Sequence, residues 1–185
     1  MEDALTYTAF VGETLVASGP LETMLPVVKE RFDGDAGALF LIFEDHSGRQ
    51  VDFDLRGAVN EVVARALPAP PRTGPGRPKL GVVSREVSLL PRHWDWLEQQ
   101  PNGASAALRR LVDEARKRDP GKERARLATA AAGRIISAIA GNLPGYEEAS
   151  RALYAADRAQ FEELILDWPC DIRAYIQRRA EGAFG

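Results

Sequence analysis

A stretch rich in proline and glycine divides this chain near its middle and limits the folds that it can adopt. Residues 68–80 read PAPPRTGPGRPKL, with five prolines and two glycines in thirteen positions. Proline lacks a backbone N–H and fixes φ, so this stretch can continue neither a helix nor a central strand. We therefore predict an extended, exposed connection between separately folded parts of the chain.

The rest of the composition is that of an ordinary globular protein. With 185 residues and 45% hydrophobic content, the chain can bury a core as one large or two small domains. The single cysteine, Cys170, allows neither an intrachain disulfide nor a multi-cysteine metal site. We interpret it as a small hydrophobic residue in a reducing compartment and predict a cytoplasmic protein. The longest apolar stretches, residues 36–43 and 135–140, are too short to span a bilayer, so no membrane partner is expected.

Charge is distributed unevenly along the chain. Residues 1–71 carry 5 basic and 12 acidic side chains, residues 72–126 carry 13 and 7, and residues 127–185 carry 6 and 8. A basic middle between acidic neighbours is typical of a chain that presents one surface to a polyanion such as nucleic acid. The alternative is that these arginines and lysines are only the solvated faces of helices.

The first 67 residues show the periodicities of a small α+β domain. Residues 37–43 are almost wholly apolar, which predicts a central strand covered on both faces. Val51, Phe53 and Leu55 alternate with Asp52 and Asp54, which predicts a strand with one buried face. The predicted order is ββαββα, with strands at residues 6–11, 14–17, 37–43 and 51–55 and helices at 21–32 and 55–67.

Residues 81–118 follow a different plan. One short strand is predicted before Leu90-Pro91, a step that is suited to begin a first helix. Pro101-Asn102-Gly103 then separates that helix from a second. Trp94 and Leu97 lie three positions apart on the first helix, and Ser105 can cap the second. The order strand, helix, turn, helix resembles the ribbon-helix-helix family of DNA-binding modules.

That resemblance implies a homodimer. One strand and two helices cannot bury their apolar faces alone, whereas two copies can pair their strands over a shared four-helix core. The paired strands of the family enter the major groove of DNA, and the N-terminus of the second helix faces a phosphate. The residues that would form the dimer core are Val83, Val87, Leu89, Trp94, Leu97, Leu108, Leu111 and Val112.

The reading face of the strand has two possible registers. With Val83, Val87 and Leu89 inward, the outward residues are Ser84, Glu86 and Ser88; the opposite register exposes Arg85 but buries Glu86. We favour the first because an unpaired buried carboxylate is costly. The predicted DNA-contacting residues are Arg77, Lys79, Ser84, Arg85, Glu86, Ser88, Asn102, Gly103, Ser105, Arg109 and Arg110, of which Arg77, Lys79, Arg109 and Arg110 are mainly phosphate contacts.

The connecting stretch itself carries a partial DNA-binding pattern. Gly76-Arg77-Pro78 followed by Lys79 is similar to the core of an AT-hook, in which an extended arm lays arginine into a narrow A·T minor groove. Pro75 stands where a hook has a basic residue, so a plain basic linker is the favoured interpretation.

The last third of the chain is predicted to be helical. Leu127, Ala131, Ile135, Ile136 and Ile139 form one apolar stripe that ends at Gly141-Asn142. Further helices are predicted at residues 146–156, 159–168 and 171–180. The predicted architecture is therefore α+β, with a domain at 1–67, a linker at 68–80, a ribbon-helix-helix-like module at 81–118 and a helical region at 119–185. We interpret the helical region as a packed extension without a site of its own.

The whole chain also resembles a bacterial family known as domain of unknown function 2239. The residues that carry this resemblance are 76–97, GRPKLGVVSREVSLLPRHWDWL, together with the flanking zones. It implies a bacterial protein and no particular activity.

Two other classes of function compete with DNA binding. Glu44, Asp45, Asp52 and Asp54 could in principle hold Mg²⁺ or Ca²⁺, although a solvated sheet face explains the same alternation. His46 and His93 lack a nearby nucleophile motif, and no phosphate-binding, dinucleotide-binding or zinc motif is present, so no catalytic residue, metal or cofactor is predicted.

The second alternative is a pure interaction protein. Its central module would dimerise only, while the N-terminal domain or the helical tail would bind a protein partner.

Overall fold

The computed structural model describes residues 5–35, 37–67 and 85–185. These residues form a four-stranded antiparallel sheet and eight α-helices, which confirms the predicted mixture of α and β structure. The chain divides into two compact units, the first formed by Met1–Pro68 with Gly121–Gly185 and the second by Ala69–Pro120. The strands are β1 (Tyr7–Val11), β2 (Thr14–Gly19), β3 (Phe40–Glu44) and β4 (Arg49–Gln50). The helices are α1 (Leu21–Gly34), α2 (Val59–Ala66), α3 (Pro91–Glu98), α4 (Gly103–Arg118), α5 (Pro120–Ile139), α6 (Tyr146–Tyr154), α7 (Arg158–Leu164) and α8 (Cys170–Ala180).

The sheet of the first unit has the order β2-β1-β3-β4, so β1 and β3 are central. Gly12, with φ of 56°, turns the chain between β1 and β2. The β1–β2 register shifts between Ala9, which pairs with Ala17, and Phe10, which pairs with Leu15. This bulge leaves one extra residue in the edge strand β2 and bends it.

The order ββαββα of the first 67 residues agrees with the prediction, but the fourth strand is shorter. Only Arg49–Gln50 is a strand, and the Val51 N–H still donates to the Ile42 carbonyl oxygen at 2.9 Å. Beyond Val51 the chain leaves the hydrogen-bonded ladder, and the Arg56 backbone N–H donates to the Asp54 carboxylate at 3.2 Å. The predicted alternation persists without the ladder, because Val51, Phe53 and Leu55 pack inward while Asp52 and Asp54 stay exposed.

One face of the sheet is covered by the helices that follow it most closely in the chain. Tyr7, Ala9 and Ile42 point to this face and pack against α1 and α2. The contacting helix residues are apolar and spaced at helical intervals. They are Leu21, Met24, Leu25, Val28 and Val62.

The opposite face is covered by the last third of the chain. Phe10 and Phe43 point to this face and share a core with α5, α6, α7 and α8. The sequence-based layout placed residues 1–67 and 119–185 in different segments, whereas the structure joins them in one unit. The physical reason lies in β1 and β3, whose residues are apolar on both faces and therefore need cover on both.

Hydrogen bonds to backbone groups help to hold α5 and α8 to the sheet. Asp171, in the first turn of α8, accepts a hydrogen bond from the Leu15 backbone N–H of the edge strand β2 at 2.9 Å. Arg134 of α5 donates from Nη1 to the Ser47 carbonyl oxygen at 2.6 Å, in the turn between β3 and β4. Both contacts satisfy backbone groups that the small sheet leaves unpaired.

The described part of the central unit is a pair of helices. Pro91 begins α3 as predicted, and a turn at Asn102, with φ of 68°, leads into α4. Gly103 has φ of 77°, so two consecutive residues with left-handed backbone start the second helix.

Candidate functional site

The α3–α4 pair of the central unit buries little of its apolar surface. Leu97 and Ala107 are the buried hydrophobic residues in the part of this unit that the structure describes. Six large hydrophobic side chains on the same segment are exposed. They are Val87, Leu90, Trp94, Trp96, Leu111 and Val112, with exposed fractions of 54%, 49%, 36%, 46%, 39% and 56%.

Of the eight residues predicted for the dimer core, four are exposed in the single chain: Val87, Trp94, Leu111 and Val112. The remaining four differ from one another in burial. Leu97 is buried, Leu89 and Leu108 are partly buried, and Val83 lies outside the described residues. Exposed apolar surface of this extent on a short helix pair is typical of a surface that binds another protein. Burial of these residues in a dimer stays a prediction.

A shallow apolar groove runs along the helix pair. Its volume is about 280 Å³, and it is open to solvent on one side. Sequence reasoning missed Trp96, since it paired Trp94 with Leu97, although His93, Trp96 and Leu97 have the same helical spacing. The groove is lined by Leu89, His93, Trp96, Leu97, Leu108 and Leu111.

The segment that precedes α3 does not form a strand in the single chain. Residues 85–90 have no helix or strand geometry, and residues 85–89 make no backbone hydrogen bond to any described residue. The predicted strand is thus not seen over its described part, because a strand needs a neighbour to share its hydrogen bonds. Arg85, Glu86 and Ser88 are all exposed, so neither predicted register is favoured by burial.

Several predicted DNA-contacting residues lie outside the described part of the chain. They are Arg77, Lys79 and Ser84, together with the linker at 68–80 and its AT-hook-like tripeptide.

The start of α4 differs from the prediction. The helix begins at Gly103 with Asn102 at the N-cap, so Ser105 lies in the first turn instead of capping the helix. The early start follows from the positive φ of Asn102 and Gly103, which completes the turn before Ser105. The Asn102 side chain makes no capping hydrogen bond, and the Gly103 N–H donates to the Gln100 carbonyl oxygen at 3.1 Å. The N–H groups of Ala104 and Ser105, which follow in the first turn, are the ones that can face an anion.

Arginine side chains follow from this end along α4. Arg109 and Arg110 are exposed; Arg109 donates from Nε to the Ser105 carbonyl oxygen at 3.1 Å, and Arg110 lies 3.9 Å from a Glu114 carboxylate oxygen. The last turn of α4 adds Arg116, Lys117 and Arg118. Acidic residues balance most of this charge, since residues 85–119 contain seven basic and six acidic side chains.

The four carboxylates considered as a metal site are separated in the structure. Asp45 is buried beside α8, whereas Asp52 and Asp54 are exposed and Asp54 pairs with Arg56 at 2.8 Å. Hydrogen bonds from Arg56 lower the pKa of Asp54 to about 2. In the described ranges, no group of three histidine, cysteine, aspartate or glutamate side chains is placed to hold a metal ion.

Asp45 is the centre of a buried polar network that the sequence did not reveal. Its carboxylate accepts hydrogen bonds from the hydroxyls of Thr6 at 2.7 Å, Thr8 at 2.8 Å and Tyr175 at 2.8 Å. Arg179 Nη1 lies 3.9 Å from the same carboxylate. Burial, followed by the negative charge of Asp45, raises the pKa of Tyr175. Three hydroxyl donors satisfy the carboxylate, so this network anchors α8 to the sheet.

Within the described residues, no helix combines the length and apolar character needed to cross a membrane. Comparison with curated proteins and with solved structures finds no match. A family model matches residues 6–180, which is nearly the whole chain, and confirms the resemblance seen in the sequence. The chain belongs to the bacterial family described as "Uncharacterized protein conserved in bacteria (DUF2239)".

Proposed function

We propose that this protein is a homodimeric DNA-binding protein of the bacterial cytoplasm that regulates transcription through its central unit. The observation that carries the proposal is the exposure of Val87, Trp94, Trp96, Leu111 and Val112 on a helix pair flanked by arginines. The proposed ribbon-helix-helix arrangement uses both features, since the apolar side chains pack against a second copy and the cations contact phosphates.

The exposed apolar side chains of the central unit favour a partner energetically. Each large aliphatic or aromatic side chain gains roughly 1.5–3 kcal/mol when it moves from full exposure to full burial. A helix pair with Leu97 and Ala107 as its buried hydrophobic residues forgoes most of that gain. A second copy offers the same apolar surface and can cover it symmetrically.

The segment before α3 has unpaired backbone groups that a second copy could satisfy. Residues 85–89 leave their backbone N–H and carbonyl groups without described partners. The same segment of a second copy has the same unpaired groups and can form an antiparallel pair with it. A two-stranded ribbon of this kind fits the width of the DNA major groove.

Positive charge near the start of α4 and in the linker favours contact with phosphates. The uncapped N-terminus of α4 can hold one phosphate, and Arg109 lies within two turns of it. Arg77 and Lys79 in the linker add cations next to the proposed ribbon. Contacts of this type position a protein on the DNA backbone, while Glu86 and Ser88 would face the bases in the favoured register.

Dimerisation without DNA binding is the second candidate function. It is favoured by the near balance of charge in residues 85–119 and by the exposed Glu86, which would repel phosphates on a DNA-facing strand. In that case the apolar surface serves dimerisation alone, and the N-terminal domain or the helical tail binds a protein partner.

One experiment separates these candidates. The molar mass in solution is measured by light scattering, and binding to mixed bacterial DNA fragments is measured by fluorescence anisotropy at low and near-physiological salt. We expect a dimer that prefers some fragments and binds more weakly as salt rises. Arg77→Ala/Lys79→Ala and Arg109→Ala/Arg110→Ala should each weaken binding by about tenfold or more, because each removes two phosphate contacts.

Two further variants complete the test. Arg31→Ala/Arg178→Ala removes two exposed arginines of the first unit and should leave binding unchanged. Leu111→Lys places a charge in the apolar groove and should convert the dimer to a monomer that no longer binds. A dimer that binds no DNA at low salt would exclude the regulator and favour the second candidate, and a monomeric wild-type protein would exclude both.

A further inference from the structure

A second groove lies wholly within the first unit, between the β3–β4 turn, α5 and the end of α6. Its volume is about 480 Å³, which lies in the range of small-molecule sites. None of the residues that line it is acidic, and five of them carry hydrogen-bond donors. The lining residues are Gly48, Arg49, Gln50, Gly133, Arg134, Ser137, Ala138 and Tyr154.

Two close backbone approaches shape the floor of this groove. At Gly48, with φ of 66°, an added Cβ would lie 2.1 Å from the Ala131 carbonyl oxygen, so the β3–β4 turn is pressed against α5. At Gly133, an added Cβ would lie 2.4 Å from the Tyr154 hydroxyl oxygen. Tyr154 therefore lies over the α5 backbone, and this tyrosine is 64% exposed, so it forms one wall of the groove and is not part of the core.

The two arginines of the groove have different contacts with the rest of the unit. Arg134 is oriented by its hydrogen bond to the Ser47 carbonyl oxygen, and it has no ion pair with any described carboxylate. Arg49 lies 3.7 Å from a Glu44 carboxylate oxygen, and its side chain is 68% exposed. One guanidinium is thus held in place without a counter-charge, and the other can turn toward a ligand.

The groove lies on a unit of net negative charge. Counting lysine and arginine against aspartate and glutamate, the first unit has 14 basic and 21 acidic residues, a net charge of −7. Among the described arginines of this unit, Arg56, Arg126 and Arg151 form ion pairs with carboxylates, whereas Arg31, Arg134, Arg173 and Arg178 do not. A concave surface with two arginines, a serine, a glutamine, a tyrosine and no acid is complementary to an anion.

We propose that this groove binds a small molecule through a phosphate or carboxylate group. Arg134 and Arg49 hold the oxyanion, the Ser137 and Tyr154 hydroxyls and the Gln50 amide donate further hydrogen bonds, and the Tyr154 ring with Ala138 contacts the remainder of the ligand. The groove is larger than a single phosphate or carboxylate group needs, which leaves room for that remainder.

The test is a titration of the full-length protein with inorganic phosphate and, separately, with malonate at constant ionic strength. Binding is followed by the NMR signals of the Arg49 and Arg134 Nε–H groups and of the Gly133 amide, all three of which belong to residues that line this groove. We expect saturable shifts at millimolar concentrations with at least one of the two anions, and the anion that binds more tightly identifies the group recognised. Arg134→Gln should weaken binding by about tenfold or more, since it removes the fixed cation.

Three variants keep the result independent of folding. Arg49→Gln and Tyr154→Phe are milder and should weaken binding by smaller factors, whereas Arg178→Gln, an exposed arginine on α8, should leave it unchanged. Absence of saturable shifts with both anions, or equal binding by Arg134→Gln and the wild type, would overturn the proposal. Loss of DNA binding in Arg134→Gln without binding of either anion would also overturn it and would assign Arg134 to the DNA backbone.

Discussion

The first unit and the described part of the central unit differ in how much of their apolar surface they bury. The first unit has a sheet of four short strands, and apolar helices cover both of its faces. The described part of the central unit has two helices and leaves Trp94, Trp96, Leu111 and Val112 exposed. The first unit thus buries its apolar residues within a single chain, whereas the described helices of the central unit leave an apolar surface of the kind that binds another protein.

The largest loss of stability is expected when a substitution opens a cavity in the core of the first unit. Phe10 is fully buried beneath α8, with its ring centroid 5.3 Å from that of Tyr175. We expect Phe10→Ala to lower the free energy of unfolding by about 3–5 kcal/mol, because it leaves a cavity between the sheet and α8. Urea denaturation measures this loss, and Leu39→Ala, at a side chain that is 86% exposed, is the control that should change stability little.

The buried network around Asp45 tests how the last helix is held. Tyr175→Phe retains the ring but removes the hydroxyl that donates to Asp45, and we expect a loss of about 1–3 kcal/mol. Thr23→Val removes a hydroxyl that bonds only a local backbone carbonyl at the exposed start of α1 and should cost less. Equal losses in the two variants would contradict an anchoring role for the network.

The same hydroxyl predicts a pH dependence of stability. The pKa of Tyr175 is raised above its ordinary value of 10.0, first by burial and then by the Asp45 charge. A raised pKa means that the folded protein keeps the proton more tightly than the unfolded chain does, so stability is intact below pH 10 and falls as the pH rises above it. Urea denaturation at pH 9 and pH 11 should show a larger loss for the wild type than for Tyr175→Phe.

The central unit should respond to concentration where the first does not. If its apolar surface is covered by a second copy, its unfolding midpoint rises with protein concentration. Val112→Ser should remove most of this dependence while changing the unfolding of the first unit by no more than about 0.5 kcal/mol. Hydrogen exchange of amides in α4 and in β1, measured at two concentrations, separates the two units, and identical behaviour at both concentrations would argue against a dimer.

The smallest expected effect concerns an exposed ion pair of the first unit. The pKa of Asp54 is about 2 because Arg56 donates hydrogen bonds to it, so its contribution to stability is present above pH 4 and is lost as the pH falls toward 2. Solvent screens this pair, and the stability change should be close to the limit of measurement. Carbon NMR of the carboxyl group should show the low pKa directly, and Arg56→Gln should return it toward 3.8.

Local patterns predicted the elements of this fold better than their arrangement. The alternation of Val51, Phe53 and Leu55 correctly indicated a segment with one buried face. The apolar run before Glu44 correctly indicated a central strand, although β3 begins only at Phe40 and Leu39 is exposed. The same patterns could not identify what covers the second face, since Phe10 and Tyr175 are separated by most of the chain. Apolar periodicity states that a face is buried but not which distant segment buries it.

The candidate sites were predictable to different degrees. The apolar positions of α3 and α4 followed from helical spacing, but their exposure in one chain depends on tertiary contacts that spacing does not contain. The groove at Arg134 was missed because it is assembled from a turn and two helices, and its two glycines have no motif around them. Asp45 was placed on a solvated face because a lone carboxylate after a strand is usually exposed.

The sheet of the first unit is synthesised well before the helices that cover its second face. All four strands have been synthesised once Gln50 has left the ribosome, yet the helices that cover Phe10 and Phe43 begin only at Pro120. At an elongation rate of about 5–20 residues per second, this aromatic face stays uncovered for several seconds. The Leu15 backbone N–H of β2 remains without its Asp171 acceptor for longer, because Asp171 is synthesised later. The nascent chain therefore exposes an aromatic surface that the finished protein buries.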